Sequence, residues 1–144
     1  MTSQLNVDTI VDKAGSGGTN VKIGNTSTYV SEGGGATQNT VQGLTKQWTS
    51  FNQETPEVFD SFNLSSMTDR TTGKTQHNFT NNMTGQKLYS VSGMALDEGE
   101  SQAVMDGCDN DFTDATKYEV NTFSTDNTAR DCDHGYTQVV GDLA

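Results

Sequence analysis

An acidic segment in the second half of the chain has the residue types of a calcium site. Asp106, Asp109, Asp111 and Asp114 follow one another within DGCDNDFTD, and carboxylate oxygens are ligands that Ca²⁺ prefers. An EF-hand loop needs glycine at its sixth position and glutamate at its twelfth, but counting from Asp109 places Asp114 and Val120 there. We therefore interpret the segment as a solvated acidic loop, with a non-standard calcium site as the alternative.

The cysteines and histidines have the residue types of a zinc site without its spacing. Only Cys132 and His134 are close in sequence, and no Cys-x-x-Cys pair accompanies Cys108 and His77. We predict no metal and no cofactor. Because two cysteines in a chain without a secretion signal are more often reduced, we expect free thiols, with a Cys108–Cys132 disulfide as the alternative.

The sequence lacks the motifs of common enzyme classes. It contains no G-x-S-x-G, no H-E-x-x-H and no phosphate-binding glycine loop, because alanine, threonine and glutamine follow Gly33–Gly35. We predict that the protein is not an enzyme. A glycan-degrading domain is the distant alternative, since the paired carboxylates of glycosidases can lie far apart in sequence.

Aromatic residues are the remaining candidates for ligand contact. Trp48, Phe51, Tyr89, Tyr118 and Tyr136 could line a sugar-binding surface, although aromatic side chains at strand spacing more often belong to a core. The possible glycan-facing residues are Trp48, Tyr89, Tyr118 and Tyr136.

Short strands must position these side chains. From Lys46 onward, alternating segments are bounded by Gly, Asn, Asp or Thr clusters, and Pro56 falls between the first two. The pattern predicts an all-β fold, a small antiparallel β-sandwich (jelly-roll-like) head over residues 46–144. The candidate strands are Gln47–Phe51, Val58–Leu64, Lys74–Phe79, Lys87–Leu96, Lys117–Phe123 and Tyr136–Val140.

Residues 1–45 differ from the rest of the chain. Residues 5–11 and 21–23 alternate like short strands around a Gly-rich turn, and Gly33–Gly35 interrupt a segment rich in Thr, Ser, Asn and Gln. We predict an extended N-terminal anchoring or intertwining segment that ends in a Gly-rich connector. We interpret the connector, Gly24–Leu44, as a plain linker, with a segment that winds around sister chains as the alternative.

One predicted hairpin is specific enough to assign single residues. Its first strand passes through Asn63, and its turn covers Thr68–Lys74, where Gly73 is free to adopt a positive φ. Alternation along the two strands then assigns the faces. We expect Phe62, Leu64 and Phe79 to line the inner face and Asn63 and Asn78 to face solvent.

The composition predicts a small core for a chain of this length. Thr, Ser, Asn and Gln make up 55 of the 144 residues, whereas Leu, Ile, Val and Phe total 25. Such a chain is either disordered or buries surface against identical copies. Because Thr, Val and aromatic residues suit a pleated surface, we favour an obligate homo-oligomer.

The net charge limits the partners. With 8 Lys+Arg against 19 Asp+Glu, the formal charge of −11 repels nucleic acid and anionic membranes. No apolar run approaches the ~18 residues that span a bilayer, and the amino terminus lacks a signal-peptide pattern. We expect a soluble protein that binds no nucleic acid and inserts into no membrane.

Several segments resemble proteins of tailed bacteriophages. The opening TSQLNVDTIVDKAGSGGTNVKIGN (Thr2–Asn25) is similar to the start of short tail-fibre and structural proteins of marine and cyanobacterial phages. KQWTSFNQ (Lys46–Gln53), DSFNLSSMTDRTTGKTQHNFTNNMTGQKLYSVSGMA (Asp60–Ala95) and HGYTQVVGD (His134–Asp142) resemble, in order and spacing, the carboxy-terminal module of such fibres.

The resemblance implies a virion structural protein, made in the host cytoplasm and located on the tail or the capsid exterior. The expected form is a tail-fibre-type appendage, a homotrimer that attaches to other virion proteins through residues 1–45. Its β head would then be presented to the host surface, including host glycans. A capsid decoration protein or head fibre is the alternative.

Overall fold

The described part of the chain consists of strands, turns and irregular segments. The computed structural model describes residues 28–30, 37–40, 43–97, 104–106 and 114–143. The chain divides into two units, Met1–Val41 and Gln42–Ala144. In the first unit, strands β1 (Thr28–Val30) and β2 (Thr37–Asn39) form an antiparallel pair. The strands predicted over residues 5–11 and 21–23, and the connector glycines Gly33–Gly35, lie outside the described residues.

The eight strands described in the second unit form two antiparallel sheets. The first sheet has the order β4-β3-β10-β7, and the second has the order β5-β6-β9-β8. The residues described contain no helix long and apolar enough to cross a membrane. The strands are β3 (Thr45–Asn52), β4 (Glu57–Phe62), β5 (Leu64–Thr71), β6 (Lys74–Phe79), β7 (Tyr89–Leu96), β8 (Val104–Asp106), β9 (Lys117–Phe123) and β10 (His134–Gly141).

The core lies between the two sheets, because alternate residues of each central strand point inward. The inward residues of β3 and β10 come from the first sheet and those of β6 and β9 from the second. This arrangement confirms the predicted small all-β sandwich. The buried apolar residues are Phe51, Phe79, Met83, Tyr118, Val120, Cys132 and Val139.

Polar side chains fill much of the remaining interior and join the two sheets. The Tyr118 hydroxyl donates to Gln47 Oε1 at 2.9 Å and lies 2.7 Å from Thr137 Oγ1. The Thr122 hydroxyl donates to Gln53 Oε1 at 2.7 Å. Since an unpaired polar group in an interior is costly, these bonds allow a core of threonine and glutamine to remain folded.

His77 lies at the centre of this polar interior with no exposed surface. Its ring stacks on Tyr118 at a centroid distance of 4.9 Å and meets the edge of Phe51 at 4.7 Å. Its Nδ1 lies 3.3 Å from the Tyr118 hydroxyl, and its Nε2 lies 3.3 Å from Thr75 Oγ1. Burial lowers the pKa of His77 to about 3, so the imidazole is neutral in the folded protein.

The predicted strand Val58–Leu64 was wrong at its end, because the chain changes sheets at Asn63. Asn63 has a φ of 57°, a conformation that asparagine tolerates better than most residues. Its Nδ2 donates to the Lys46 carbonyl at 2.9 Å, and its Oδ1 accepts from the Asn81 amide at 2.7 Å. Phe62 therefore ends β4 and Leu64 begins β5, in different sheets.

This break also overturns the expected faces of the hairpin. Phe62 is 54% exposed, not buried, and Leu64 is half-buried, whereas Phe79 is buried as predicted. Asn63 does not simply face solvent, because its amide joins two segments. Asn78, which is half-buried, bonds to the hydroxyl of Ser66.

The turn of the hairpin is shorter than the predicted Thr68–Lys74. Strand β5 continues to Thr71, which pairs with Lys74, so only two residues connect β5 to β6. Gly73 has the predicted positive φ, at 73°, and donates its amide to Asp131 Oδ1 at 2.6 Å. A tight two-residue connection needs this conformation, which glycine adopts without steric cost.

The remaining strand predictions are confirmed in position, two of them with the same bounds and the others with different ends. Lys74–Phe79 and Lys117–Phe123 coincide with β6 and β9, and Pro56 lies in the turn between β3 and β4. β3 and β10 each begin two residues before their predicted starts, whereas β7 begins at Tyr89.

Candidate functional site

Two of the four candidate aromatic residues belong to the interior and not to a ligand surface. Tyr118 has no exposed surface, and its hydroxyl bonds to polar core groups. Tyr89 is half-buried, packs its ring against Phe79 at 5.6 Å, and holds its hydroxyl 2.9 Å from the carbonyls of Asp114 and Lys117. These two residues are therefore not available as sugar-binding platforms. Phe51 is also fully buried.

Trp48 and Tyr136 lie on the outer face of the first sheet. Trp48 is 38% exposed and Tyr136 is 50% exposed. Trp48 pairs with Gln138, and Tyr136 pairs with Ser50, so the two aromatic residues are diagonal neighbours on β3 and β10. Among the described residues, neither ring contacts another aromatic ring.

Two rows of residues cross this outer face of the sheet. The pairings of β4, β3, β10 and β7 place one side chain from each strand in every row. Each row combines two large apolar side chains with two polar ones. The first row consists of Phe62, Trp48, Gln138 and Ser92, and the second consists of Asp60, Ser50, Tyr136 and Met94. We call the two rows together the aromatic face.

A groove of about 620 Å³ runs between the two rows of the aromatic face. Its volume falls within the range of ~300–1,000 Å³ that is usual for small-molecule sites. The groove is open to solvent and mixes apolar walls with hydrogen-bonding groups. Its principal lining residues are Trp48, Tyr136, Met94, Asp60, Gln138 and Ser92.

Hydrogen bonds hold the main polar side chains of the groove in place. Asp60 Oδ1 accepts the backbone N–H of Ser61 at 2.8 Å. Gln138 Nε2 donates to Thr45 Oγ1 at 2.9 Å, which leaves the Gln138 amide oxygen to accept from a ligand. Among the described residues that line the groove, Asp60 is the only carboxylate. The groove thus offers apolar platforms and oriented acceptors, an arrangement suited to binding.

The acidic segment offers no metal site among the residues that the structure describes. Asp106 lies in β8, whereas Asp109 and Asp111 are outside the described residues. Partial burial opposes ionisation of Asp114, but hydrogen bonds from Thr116 and the nearby Lys117 ammonium outweigh it and lower the pKa of Asp114. Within the described ranges, no three His, Cys, Asp or Glu side chains come together to hold a metal ion.

Among the candidate zinc ligands, the structure describes His77, Cys132 and His134, which form no metal-binding group. His77 lies in the core, and His134 packs against Phe59 with ring centroids 5.6 Å apart. Cys132 is a free, buried thiol, and burial raises its pKa to about 12. Cys108 lies outside the described residues. A thiol this difficult to ionise is a poor metal ligand and a poor nucleophile.

Sequence reasoning identified the two aromatic residues of the groove and missed its polar ones. Asp60 lies two residues before Phe62, and Gln138 lies two residues after Tyr136. Period-two alternation therefore places each of them on the same strand face as an exposed aromatic residue. What the sequence did not supply is the register that brings these strands side by side.

The chain has also been compared with known proteins. No protein-family model, no curated protein and no solved structure matches it.

Proposed function

We propose that this chain is a virion structural protein, a tail-fibre-type appendage that presents its β-sandwich for contact with the host surface. The observation that carries the proposal is the aromatic face. Its apolar members include Phe62, which is 54% exposed, and Met94, which is 73% exposed. Soluble monomers rarely keep so many large apolar side chains together on one exposed surface, and such a patch usually marks an interaction site.

Further support comes from the sequence and from the fold. The segments Thr2–Asn25, Lys46–Gln53 and Asp60–Ala95 resemble fibre proteins of tailed phages. The head that contains the second and third of these segments is a small sandwich of short antiparallel strands. A rigid sheet of this kind holds side chains in fixed positions, which suits a recognition surface.

The proposed appendage is a homotrimer. Among the described residues of the head, seven buried apolar side chains form a small core, and burial against sister copies would add to it. A second exposed apolar set, Leu44, Leu88 and Leu143, lies at the end of the first sheet where β3 begins and β10 ends. We assign this end to contact between copies, because Leu44 lies at the end of the N-terminal segment, next to the start of β3.

Antibody labelling of intact virions tests the role in the particle. An antibody raised against the head should decorate the tail in electron micrographs of purified phage. Decoration of the shell would instead support the capsid decoration protein or head fibre. Absence of the chain from purified particles by mass spectrometry would refute both.

Light scattering tests the trimer. The purified chain should have a mass close to three times 15.5 kDa. Leu88→Ser should shift the population towards monomer, whereas Phe62→Ser, an equally exposed change on the aromatic face, should not. A stable wild-type monomer would refute the argument from the small core.

A further inference from the structure

We infer that the groove of the aromatic face binds neutral pyranose sugars, with Trp48 as the stacking platform and Asp60 and Gln138 as hydrogen-bond acceptors. The inference deepens the proposed function, on which it depends only for the source of the sugar, the host surface. The site itself is argued from the geometry of the groove.

The aromatic rings of the groove differ from the other described aromatic rings of the head in their surroundings. The rings of Phe51, His77, Phe79, Tyr89 and Tyr118 pack against one another in and around the core. Among the described residues, Trp48 and Tyr136 contact no other aromatic ring, and both side chains are partly exposed. The apolar C–H face of a pyranose ring can lie against such an exposed aromatic ring, which supplies a large contact area with little loss of conformational freedom.

Polar side chains flank the exposed ring of Trp48. Sugar hydroxyls need acceptors next to the platform that holds the ring. Asp60 and Gln138 supply them from the strands on either side of Trp48. Both side chains are already held by hydrogen bonds, to the Ser61 amide and the Thr45 hydroxyl, so binding loses little additional side-chain entropy.

Charge selects the class of sugar. Asp60 is a carboxylate within the groove, and the whole chain carries a formal charge of −11. Uronic or sialic acid groups would be repelled by both. Neutral hexoses and N-acetylhexosamines meet no such penalty, and a groove of about 620 Å³ has the volume of a small-molecule site.

The same charge argues against a second copy as the occupant. Two copies packed through this face would bury the Asp60 carboxylates, and the rows that form the face contain no lysine or arginine to pair with them. A buried charge without a partner is strongly unfavourable. Cores of protein interfaces are accordingly depleted of charged residues. A bound sugar, in contrast, would donate hydrogen bonds to the Asp60 carboxylate, and the groove would stay open to solvent.

The chain contains a single tryptophan, and it is Trp48. Intrinsic fluorescence of the full-length protein therefore reports on this site alone. We would titrate the protein with cellopentaose, chitopentaose, mannopentaose and maltopentaose, and with oligogalacturonate as the anionic control. At least one neutral probe should shift the emission to the blue and reduce acrylamide quenching about twofold. Oligogalacturonate should do neither.

Variants then test the assigned roles by calorimetry. Trp48→Ala should weaken binding of the responding probe at least tenfold, Trp48→Phe should weaken it less, and Asp60→Asn should weaken it several-fold. Leu96→Ala is the matched control, because Leu96 is exposed on the same sheet face and does not line the groove. It should leave binding within about twofold of wild type. Circular dichroism would verify that each variant is folded.

Three results would overturn the inference. One is the absence of any fluorescence change with all four neutral probes. Another is a Leu96→Ala variant that loses as much affinity as Trp48→Ala. The third is a Trp48 emission that is already blue-shifted and protected in the free protein, with loss of oligomer mass on Trp48→Ala, which would assign the face to a second copy. Failure of the proposed function is separate, since it would appear as absence of the chain from virions.

Discussion

The buried histidine predicts a specific loss of stability in mild acid. His77 has a pKa of about 3 in the folded protein, against 6.5 for the free side chain. Between these two values the unfolded chain binds a proton at this position and the folded protein does not. Stability must therefore fall as the pH falls from about 6.5 towards 3, and it is fully present above the higher value.

The size of this loss follows from the difference between the two pKa values. Each pH unit below 6.5 costs about 1.4 kcal/mol while the folded imidazole remains neutral. The expected destabilisation is thus about 2 kcal/mol at pH 5 and about 3 kcal/mol at pH 4. For a head of about 100 residues, the loss of about 2 kcal/mol at pH 5 corresponds to a fall in Tm of roughly 10 °C.

Thermal melts followed by circular dichroism between pH 7 and pH 4 would measure this loss of stability. Protonation of surface carboxylates acts in the opposite direction at first, because it relieves the repulsion within a chain of net charge −11. The comparison that isolates His77 is therefore with His77→Gln, which cannot titrate and should lose much less stability over the same interval. His134→Gln, which replaces the other histidine, should behave like wild type. Parallel pH profiles for wild type and His77→Gln would refute the reasoning.

Other substitutions test the packing and the chain reversals. Phe79→Ala should lower the free energy of unfolding in urea by about 3–5 kcal/mol, because it leaves a cavity in the core. Asn78→Ala, on the opposite face of the strand, should cost about 1 kcal/mol, the value of its hydrogen bonds. Equal losses would contradict the strand register. Asn63→Ala should cost about 2–3 kcal/mol, because it removes the side-chain hydrogen bonds and leaves alanine strained at a positive φ. Asn63→Gly removes the same bonds without the strain and should cost less. An Ala variant as stable as the Gly variant would argue against that strain. Gly135→Ala should prevent folding, because the added methyl group would overlap the buried ring of Phe51. Gly85→Ala would meet only ordinary van der Waals contacts and should melt like wild type. Soluble expression and Tm distinguish the two variants.

The strands were the most predictable part of the fold. The predicted Lys74–Phe79 and Lys117–Phe123 coincide with β6 and β9. Half-buried and buried residues alternate along the whole of β6, whereas three consecutive residues of β9, Tyr118–Val120, are buried. The first strand of the hairpin was predicted as a continuation of the preceding strand that stops before Thr68. Its extension to Thr71 was missed because LSSMTDRT has few apolar residues, and all the residues of β5 are exposed or half-buried. The sheet change at Asn63 was missed because a single asparagine can occupy either an extended or a left-handed conformation, and tertiary hydrogen bonds decide which.

The candidate site was only partly predictable. Alternation shows that Tyr118 and Tyr136 each lie on one face of a strand, but it does not show which face is covered by the other sheet. That depends on pairings between residues far apart in sequence, such as Trp48 with Gln138. A polar interior adds to the difficulty, because buried Thr75, Thr122 and Gln53 look like surface residues in the sequence.

The polar interior has a consequence for the heat capacity of unfolding. Exposure of apolar surface raises the heat capacity and exposure of polar surface lowers it. Unfolding this head would hydrate Gln47, Gln53, His77 and several threonines together with few large apolar side chains. Its heat-capacity change per residue should therefore lie below the usual ~12–15 cal/mol/K. A small heat-capacity change flattens the curve of stability against temperature, so the head should keep nearly constant stability from cold to warm water.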